Sequence, residues 1–353
     1  MCSASRARRA TVRLPTDPAR RAVTETLAVL GAGSWGTALA MVLARRGHTV
    51  RLWTRAAADA AAMNALRVNA RYLPDLVLPA GVMATAQLDV AVAGADGVLV
   101  AVPSSAFREL LRRLAPLADW RQIAWASKGF EQDSGRLLHE VLAEELGSQV
   151  DGVVVSGPSF AAEVALGLPT ALVVAARQAA DADAWVRRLH GDALRAYRSD
   201  DPVGVQVGGA VKNVLAIAAG MADGAGFGAN ARAALVTRGL TEVQRLGVAL
   251  GAQPQTLLGL SGLGDLMLTC TDDQSRNRRL GLALAAGKTL QQASEALGQV
   301  AEGVVTARAV QRLAQRLAVQ MPICAAVYSV LYEGCPARDA TQALLAREPT
   351  AEF

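Results

Sequence analysis

The chain has 353 residues, of which 52% are hydrophobic and 19% are charged, so it can form about two domains with a large buried core. Of the formal net charge of +5, residues 1–25 carry +4, because six arginines there face only Asp17 and Glu25. The rest of the chain has 30 basic and 29 acidic residues and no basic stripe with interleaved aromatic residues. We therefore expect no nucleic-acid partner.

Residues 1–25 contain no apolar core of the kind a signal peptide needs, and they are predicted to be a disordered extension or to result from an upstream start codon. An arginine-rich, acid-poor start is also typical of an organelle transit peptide, and this alternative stays open. The four cysteines show neither CxxC nor zinc spacing, and no apolar run reaches transmembrane length. We expect a cytoplasmic protein with reduced thiols, no metal site and no transmembrane segment.

The first half of the chain alternates short β-branched runs with helix-compatible segments. Strands are predicted at residues 27–30, 49–53, 97–102, 123–126, 152–155, 171–175 and 194–198. Helices are predicted between them at residues 35–46, 105–114 and 135–146. This alternation predicts an α/β Rossmann-type domain over residues 26–203, with a mostly parallel, doubly wound sheet.

The pattern changes after about residue 202, where strand-like runs end and long Ala- and Leu-rich stretches follow. Helices are predicted at residues 205–220, 231–250, 289–297, 304–317 and 325–332. We therefore predict an all-α substrate domain over residues 204–345.

A dinucleotide fingerprint occupies residues 27–36, which read LAVLGAGSWG. Gly31, Gly33 and Gly36 form G-x-G-x-x-G directly after a predicted strand and at the start of a predicted helix. In this context the first glycine permits a tight turn, the second lets a pyrophosphate approach the backbone, and the third permits close packing. A glycine-rich turn without a ligand is the alternative.

The end of the second predicted strand indicates which dinucleotide binds. An acidic residue there binds the ribose 2′-hydroxyl, whereas arginine accommodates a 2′-phosphate. Residues 52–55 read LWTR, and the next carboxylate is Asp59. The sequence therefore favours NADPH over NADH, unless Arg55 only lines a solvated loop.

Two lysines are conspicuous in a chain with three lysines and 33 arginines. Lysine can release its proton in acid–base chemistry, whereas arginine effectively cannot. Lys212 lies in the apolar run VGGAVKNVLA, where desolvation should lower its pKa. Lys128 follows a predicted strand at the carboxyl edge of the sheet, where open α/β folds bind ligands. The alternatives are a snorkelling helix lysine and an ordinary loop lysine; Lys288 is interpreted as a turn residue.

A polar cluster interrupts the helical half at residues 261–280, SGLGDLMLTCTDDQSRNRRL. Ser275, Arg276 and Asn277 offer a hydroxyl, a guanidinium and an amide in a row, a composition that suits an oxyanion such as phosphate. Asp265 follows a glycine-rich turn and could orient a lysine or bind a substrate hydroxyl. The chain shows no serine-hydrolase elbow and no P-loop, so hydride transfer with a lysine acid is the chemistry that these residues favour.

Long co-linear segments resemble a known family. They read GAGSWGTALA, VPSSAFRELL, ASKGFE, SGPSFAAEVALGLPTAL, GVQVGGAVKNVLAIAAGMADGAGFGANARAALVTRGL and GLSGLGDLMLTCTDDQSRNRRLG. Together they closely resemble the bacterial-type glycerol-3-phosphate dehydrogenases that accept NAD or NADP, over about residues 26–345. The resemblance implies reversible reduction of dihydroxyacetone phosphate to sn-glycerol 3-phosphate, the backbone precursor of phospholipids.

The resemblance also implies roles for individual residues. Dinucleotide contacts fall on Ser34, Trp35, Arg55, Lys128, Ala161, Arg276, Val300 and Glu302, beside the three fingerprint glycines. Substrate contacts fall on Lys128, Gly157, Ser159, Lys212, Asp265, Ser275, Arg276 and Asn277. Lys212 resembles the proton-transfer lysine. Rival interpretations are a β-hydroxyacid or 6-phosphogluconate-type dehydrogenase and a nucleotide-sensing module without chemistry. Whether the chain forms a homodimer is left open.

Overall fold

The computed structural model describes residues 24–117, 122–298 and 301–346. The predicted extension therefore falls almost entirely outside the described residues, as does Val300. The strands are β1 Thr26–Leu30, β2 Thr49–Trp53, β3 Val68–Asn69, β4 Leu73–Val77, β5 Val82–Thr85, β6 Gly97–Val100, β7 Ile123–Trp125, β8 Val153–Ser156, β9 Thr170–Ala175 and β10 Leu194–Ser199.

The helices of the first half are short and alternate with these strands. They are α1 Ser34–Arg45, α2 Ala57–Leu66, α3 Leu88–Val92, α4 Phe107–Leu114, α5 Leu138–Leu146, α6 Ala161–Leu166 and α7 Ala179–Leu189. The second half contains α8 Pro202–Gly224, α9 Gly228–Ala249, α10 Pro254–Leu258, α11 Asp265–Thr271, α12 Arg276–Ala285, α13 Leu290–Leu297, α14 Glu302–Arg316, α15 Pro322–Tyr332 and α16 Ala337–Leu345.

The main sheet has the strand order β10-β9-β8-β7-β6-β1-β2-β5 in the described part of the chain. All neighbouring strands pair in parallel except β8 and β9, so β9 and β10 run opposite to the other six. Alternate residues of β1 face the two sides of the sheet. Leu27 and Val29 pack with Leu39 of α1, whereas Ala28 and Leu30 pack with residues of α4. The mostly parallel, doubly wound sheet predicted from the sequence is confirmed.

Three short strands were missed by the sequence analysis. β3 and β4 form an antiparallel hairpin, and β5 extends the main sheet beyond β2. β4 contains Pro74 and a largely exposed run, which removes the apolar alternation that identifies a strand. β5 has only four residues, VMAT, so its pattern is too short to separate from a loop.

The all-α prediction for the second half is also confirmed, and α8 is its central element. Asp201 caps the helix by accepting a hydrogen bond from Gly204 N at 2.8 Å, and Pro202 occupies the first turn, where its missing N–H costs nothing. A Cβ at Gly281 would lie 2.1 Å from the Ile217 carbonyl oxygen, so glycine permits α12 to lie directly against α8.

Among the described residues, α8 is the one helix long and apolar enough to cross a membrane. However, 94% of its most apolar window is buried inside the protein, as expected of a core helix. The two halves also share core residues, since Phe130 packs into the helical cluster and Val205 into the cluster on one face of the sheet. The predicted division between residues 203 and 204 falls in the first turn of α8 and stays a prediction.

Candidate active site

The glycine-rich turn joins β1 to α1 and presents one open position. Gly31 has φ +119°, and a Cβ there would lie 2.8 Å from the Ala101 carbonyl oxygen. A Cβ at Gly36 would lie 1.9 Å from the Gly31 carbonyl oxygen. Both glycines are therefore required by the packing of the turn itself. A Cβ at Gly33 would meet no atom within 4 Å, so the backbone at Gly33 is accessible to a ligand.

The first turn of α1 lies beside this opening. Gly33 is the N-cap and provides no side-chain hydrogen bond, so the first N–H groups of α1 remain available at the positive end of the helix dipole. Ser34 and Trp35 are the first two residues of the helix, and Arg55 is exposed two residues after β2 ends. This arrangement fits a dinucleotide pyrophosphate.

A buried carboxylate joins the two lysines singled out in the sequence. Lys128 Nζ donates to Asp265 Oδ2 at 2.6 Å and to the Gly157 carbonyl oxygen at 3.3 Å. Lys212 Nζ donates to Asp265 Oδ1 and, at 2.9 Å, to Thr269 Oγ1. Asp265 is fully buried, and Lys212 is 7% exposed. The Lys128–Asp265–Lys212 cluster therefore joins the carboxyl edge of the sheet to α8 and α11.

The electrostatics of the cluster favour a proton-releasing lysine. Burial lowers the pKa of Lys212 to about 8; Asp265 opposes this shift, whereas the charge of Lys128 adds to it. Burial also raises the pKa of the neighbouring Cys270 thiol to about 12. The thiol is therefore protonated near neutral pH, whereas Lys212 can exchange a proton near this pH.

The loop after β8 contributes backbone and hydroxyl groups to the same edge. The Gly157 carbonyl oxygen accepts from Lys128 and, at 3.1 Å, from the Ser159 hydroxyl. Ala161 begins α6 directly after this loop. The sequence-predicted Gly157 and Ser159 therefore lie in one loop that begins at the cluster, and Ala161 lies at the start of the helix that follows it.

The first turn of α12 lies against the part of α8 that carries Lys212. Asn277 Nδ2 donates to Asn213 Oδ1 at 2.9 Å, and Asn277 Oδ1 accepts from Gly303 N at 3.0 Å. Asn213 Nδ2 donates to Glu302 Oε2 at 3.4 Å, so Glu302 at the start of α14 belongs to the same network. Ser275 caps α12 by accepting from Arg278 N at 3.2 Å. Arg276 is the exposed first residue of α12.

Two contact residues were missed by the sequence analysis. Thr269 accepts a hydrogen bond from Lys212 and donates to the Asp265 carbonyl oxygen at 2.6 Å. Asn213 links α12 to α14. Thr269 follows Asp265 by four residues, a spacing that puts both on one helix face and could have identified it. Asn213 had no comparable signal, because a neutral amide in an apolar run suggests no chemistry of its own.

No group of three or more His, Cys, Asp or Glu side chains in the described ranges is arranged to hold a metal ion. The structure forms three groups of functional interest: a glycine-rich turn, two lysines that share a carboxylate, and a polar first turn of α12. The chemistry available to them is dinucleotide binding, proton transfer and oxyanion binding.

Two family models match the chain. Residues 26–182 match the NAD-dependent glycerol-3-phosphate dehydrogenase N-terminus, and residues 201–342 match the C-terminus of the same family. The chain is 57% identical over 328 residues to the glycerol-3-phosphate dehydrogenase (NAD(P)+) of Halorhodospira halophila, covering 93% of this chain and 98% of the relative. It is 58% identical to that of Thioalkalivibrio sulfidiphilus, with the same coverage.

Solved structures agree with these matches. The crystal structure of glycerol-3-phosphate dehydrogenase from Coxiella burnetii is 49% identical, with a TM-score of 0.89, 92% of this chain covered and 99% of that one. The yeast enzyme structure is 26% identical, with a TM-score of 0.79 over 90% of this chain and 98% of that one. The chain belongs to the NAD-dependent glycerol-3-phosphate dehydrogenase family.

Proposed function

We propose that this chain catalyses the reversible, NAD(P)H-dependent reduction of dihydroxyacetone phosphate to sn-glycerol 3-phosphate. The observation that carries the proposal is the buried Lys128–Asp265–Lys212 cluster, in a chain of this family. When bound, the dinucleotide supplies the hydride for the carbonyl carbon. Family membership argues against the 6-phosphogluconate-type alternative.

Lys212 supplies the proton. The carbonyl oxygen gains negative charge during reduction, and the Lys212 ammonium donates a hydrogen bond to it and then its proton. Its pKa of about 8 suits this role, because the protonated form dominates near neutral pH while the neutral form remains accessible. In the oxidative direction the neutral amine accepts the hydroxyl proton.

Asp265 and Lys128 set the charge of the site. Two ammonium groups and one carboxylate give the cluster a net charge of +1, and Asp265 is fully buried. In a site shielded from water a positive charge stabilises a developing oxyanion more strongly than it would in bulk solvent. Lys128 and Asp265 also hold the reacting end of the substrate.

The first turn of α12 anchors the phosphate. Arginine can give two parallel charge-assisted bonds to one oxyanion, and Arg276 is the first residue of a ten-residue helix. The N–H groups of this helix end add a positive dipole. Asn277, which is held by Asn213 and Gly303, keeps this turn against Lys212's helix, so phosphate binding orients the carbonyl group toward the cluster.

Arg55 favours NADPH as the reduced dinucleotide. It is exposed and follows β2, at the position where a 2′-phosphate is accommodated in this fold. We expect kcat/KM for NADPH to be at least equal to that for NADH, and Arg55→Ala to lower only the NADPH value. A strong NADH preference that the substitution leaves unchanged would contradict this assignment.

The product is a phospholipid precursor, so we place the reaction in phospholipid synthesis in the cytoplasm. Sedimentation velocity of the purified chain would decide whether it forms a homodimer, which the sequence leaves open.

The decisive experiment follows the absorbance of the reduced nicotinamide with dihydroxyacetone phosphate and either dinucleotide. Wild type should turn over, and Lys212→Met should lose about 10²–10⁴-fold in kcat because it lacks the general acid. Its dissociation constant for NADPH should stay close to the wild-type value. Wild-type binding without turnover of any phosphoketose would favour the nucleotide-sensing alternative, and a mutant that retains more than about a tenth of kcat would move the donor elsewhere.

A further inference from the structure

We infer that Asn69 is a positioning residue for the dinucleotide-binding turn, an inference that rests on the proposed function. The Asn69 side chain lies in the hairpin formed by β3 and β4, outside the fingerprint sequence. Its Nδ2 donates to the Ala32 carbonyl oxygen at 2.9 Å and to Thr37 Oγ1 at 2.8 Å. One amide hydrogen therefore holds the turn between β1 and α1, and the other holds the first turn of α1.

Hydrogen bonds and core packing fix the hairpin on both sides of Asn69. Arg67 adopts a left-handed conformation with φ 56°, and its carbonyl oxygen accepts from Leu78 N at 2.7 Å. Its guanidinium donates to the Val82 carbonyl oxygen at 2.8 Å, which ties the hairpin to the edge strand β5. Leu73 and Leu78 are buried in the core on one face of the sheet. The hairpin is thus anchored on both sides of Asn69.

The two hydrogen bonds are protected from water. Asn69 is 5% exposed, and Thr37 is fully buried in the first turns of α1. Water therefore cannot replace either bond without a rearrangement of the turn. A buried acceptor that loses its donor bears its full desolvation cost, so these contacts constrain the turn strongly.

The bond to Ala32 aims the N–H of Gly33. The Ala32 carbonyl and the Gly33 N–H belong to one planar trans peptide unit, in which the C=O and N–H bonds point in opposite directions. Because Asn69 holds the carbonyl, the Gly33 N–H points away from the hairpin. Thr37 N also donates to the Gly33 carbonyl oxygen at 2.9 Å, so both peptide units of Gly33 are fixed.

This constraint offsets the conformational freedom that Gly33 gives the turn. A Cβ at Gly33 would meet nothing, so no neighbouring atom restricts this residue sterically, and glycine samples more backbone conformations than any other residue. Without Asn69 the ligand would have to order the turn on binding. With Asn69 the N–H groups are ordered beforehand, which lowers the dissociation constant of the dinucleotide.

A purely structural amide is the alternative, and Asn64 provides a matched control for it. Asn64 lies in α2, where its Nδ2 donates to the Ala84 carbonyl oxygen at 2.9 Å and its Oδ1 accepts from Ala84 N at 2.8 Å. It therefore ties neighbouring elements of the same half through two hydrogen bonds without contacting the turn. Asn64→Asp and Asn69→Asp each preserve side-chain shape and remove the amide donor.

The test is direct titration of NADPH without substrate, combined with steady-state kinetics and thermal unfolding of the free protein. Asn69→Asp should raise the NADPH dissociation constant by about tenfold or more, because the carboxylate faces the Ala32 carbonyl oxygen with no hydrogen to donate. With saturating NADPH, kcat and the KM for dihydroxyacetone phosphate should stay within about threefold of wild type, since the Lys212 site is untouched. Asn64→Asp should lower the Tm with an unchanged NADPH dissociation constant.

Thr37→Val is the second variant, because it removes the other acceptor and keeps the side-chain shape. It should raise the NADPH dissociation constant by about two- to fivefold. NADPH affinity within about twofold of wild type in both variants would overturn the inference. If Asn69→Asp does not fold, unchanged NADPH affinity in Thr37→Val is sufficient to overturn it. Wild type that binds neither dinucleotide would instead contradict the proposed function.

Discussion

Lys212 differs from the many arginines of this chain because it can release its proton within the physiological range. The run of apolar residues around it predicts burial, and burial is the main cause of its lowered pKa. The sequence alone does not reveal the opposing contribution of Asp265, 53 residues away, which keeps the pKa from falling further. The direction of the pKa shift of Lys212 was therefore predictable from the sequence. The value of that pKa was not, because it depends on long-range contacts.

The pH dependence of the two reaction directions should reflect this pKa. Reduction needs the protonated lysine, so its kcat should be constant below about pH 8 and fall as the pH rises through that value. Oxidation needs the neutral amine, so its kcat should fall as the pH drops through the same value. The range from about pH 7 to 10 avoids the substrate phosphate, whose pKa is about 6.

Rapid-mixing measurements of the chemical step in both directions would test this expectation. NADPH dissociation constants measured at each pH provide the control for effects on binding. If kcat changed with pH in the same way in both directions, a group other than Lys212 would govern the rate. The same would follow if the NADPH dissociation constants changed over the same pH range as kcat.

Neutral polar residues limit what can be predicted from the sequence. Asn69, Asn213 and Thr269 each make buried hydrogen bonds at the site, yet none carries a charge that would single it out in the sequence. Asn69 contacts Ala32 across 37 residues of chain, through a hairpin whose strands were themselves missed. Contacts of this kind depend on the folded backbone, which local patterns do not specify.

At the scale of elements, the ends of two helices define the site. The π-helical turn Leu260–Gly264 leads directly into α11, and Asp265 is the first residue of α11. α12 begins with Arg276 after the Ser275 cap. The sequence predicted a polar cluster at residues 261–280 but no helices there, because glycine and charged residues interrupt the apolar period. The long helices α8, α9 and α14, whose apolar period is regular, were predicted.

Arg276→Ala tests the role of the α12 end. Loss of one charged hydrogen bond costs about 1.5–3 kcal/mol, so kcat/KM for dihydroxyacetone phosphate should fall by roughly 10–150-fold. Unphosphorylated dihydroxyacetone has no phosphate for Arg276 to bind. It should be a poor substrate for wild type and for Arg276→Ala, and their kcat/KM values for it should differ less. NADPH affinity is measured in parallel and divided out. Equal proportional losses for the two substrates would indicate that Arg276 supports the fold or the nucleotide.

At the scale of the whole molecule, the cluster joins groups from both halves. Lys128 follows a strand of the sheet, whereas Asp265 lies 137 residues later in the helical half. Phe130, two residues after Lys128, packs into the helical core, so the loop after β7 is fixed from both sides. The Rossmann-type half and the helical half were predictable from periodicity. Their relative placement was not, because it depends on side chains that meet only after both halves have folded.

Asp265→Asn tests this link and the electrostatics together. The substitution preserves shape but leaves the buried Lys212 ammonium and the partly buried Lys128 ammonium without their shared carboxylate, and breaking a buried ion pair from one side costs about 3–5 kcal/mol. The free energy of unfolding should fall by that order, as measured by chemical denaturation of the free protein. Asp265 raises the pKa of Lys212 and so opposes the effect of burial. Its loss should therefore lower that pKa below about 8, and the fall of kcat for reduction with rising pH should begin at lower pH.

Asp223→Asn is the control: Asp223 pairs with Arg232 at 2.9 Å and with Arg278 at 2.6 Å, both within the helical half. It should reduce stability and leave unchanged the pH at which kcat for reduction falls. If that pH were also unchanged in Asp265→Asn, another group would control the proton on Lys212.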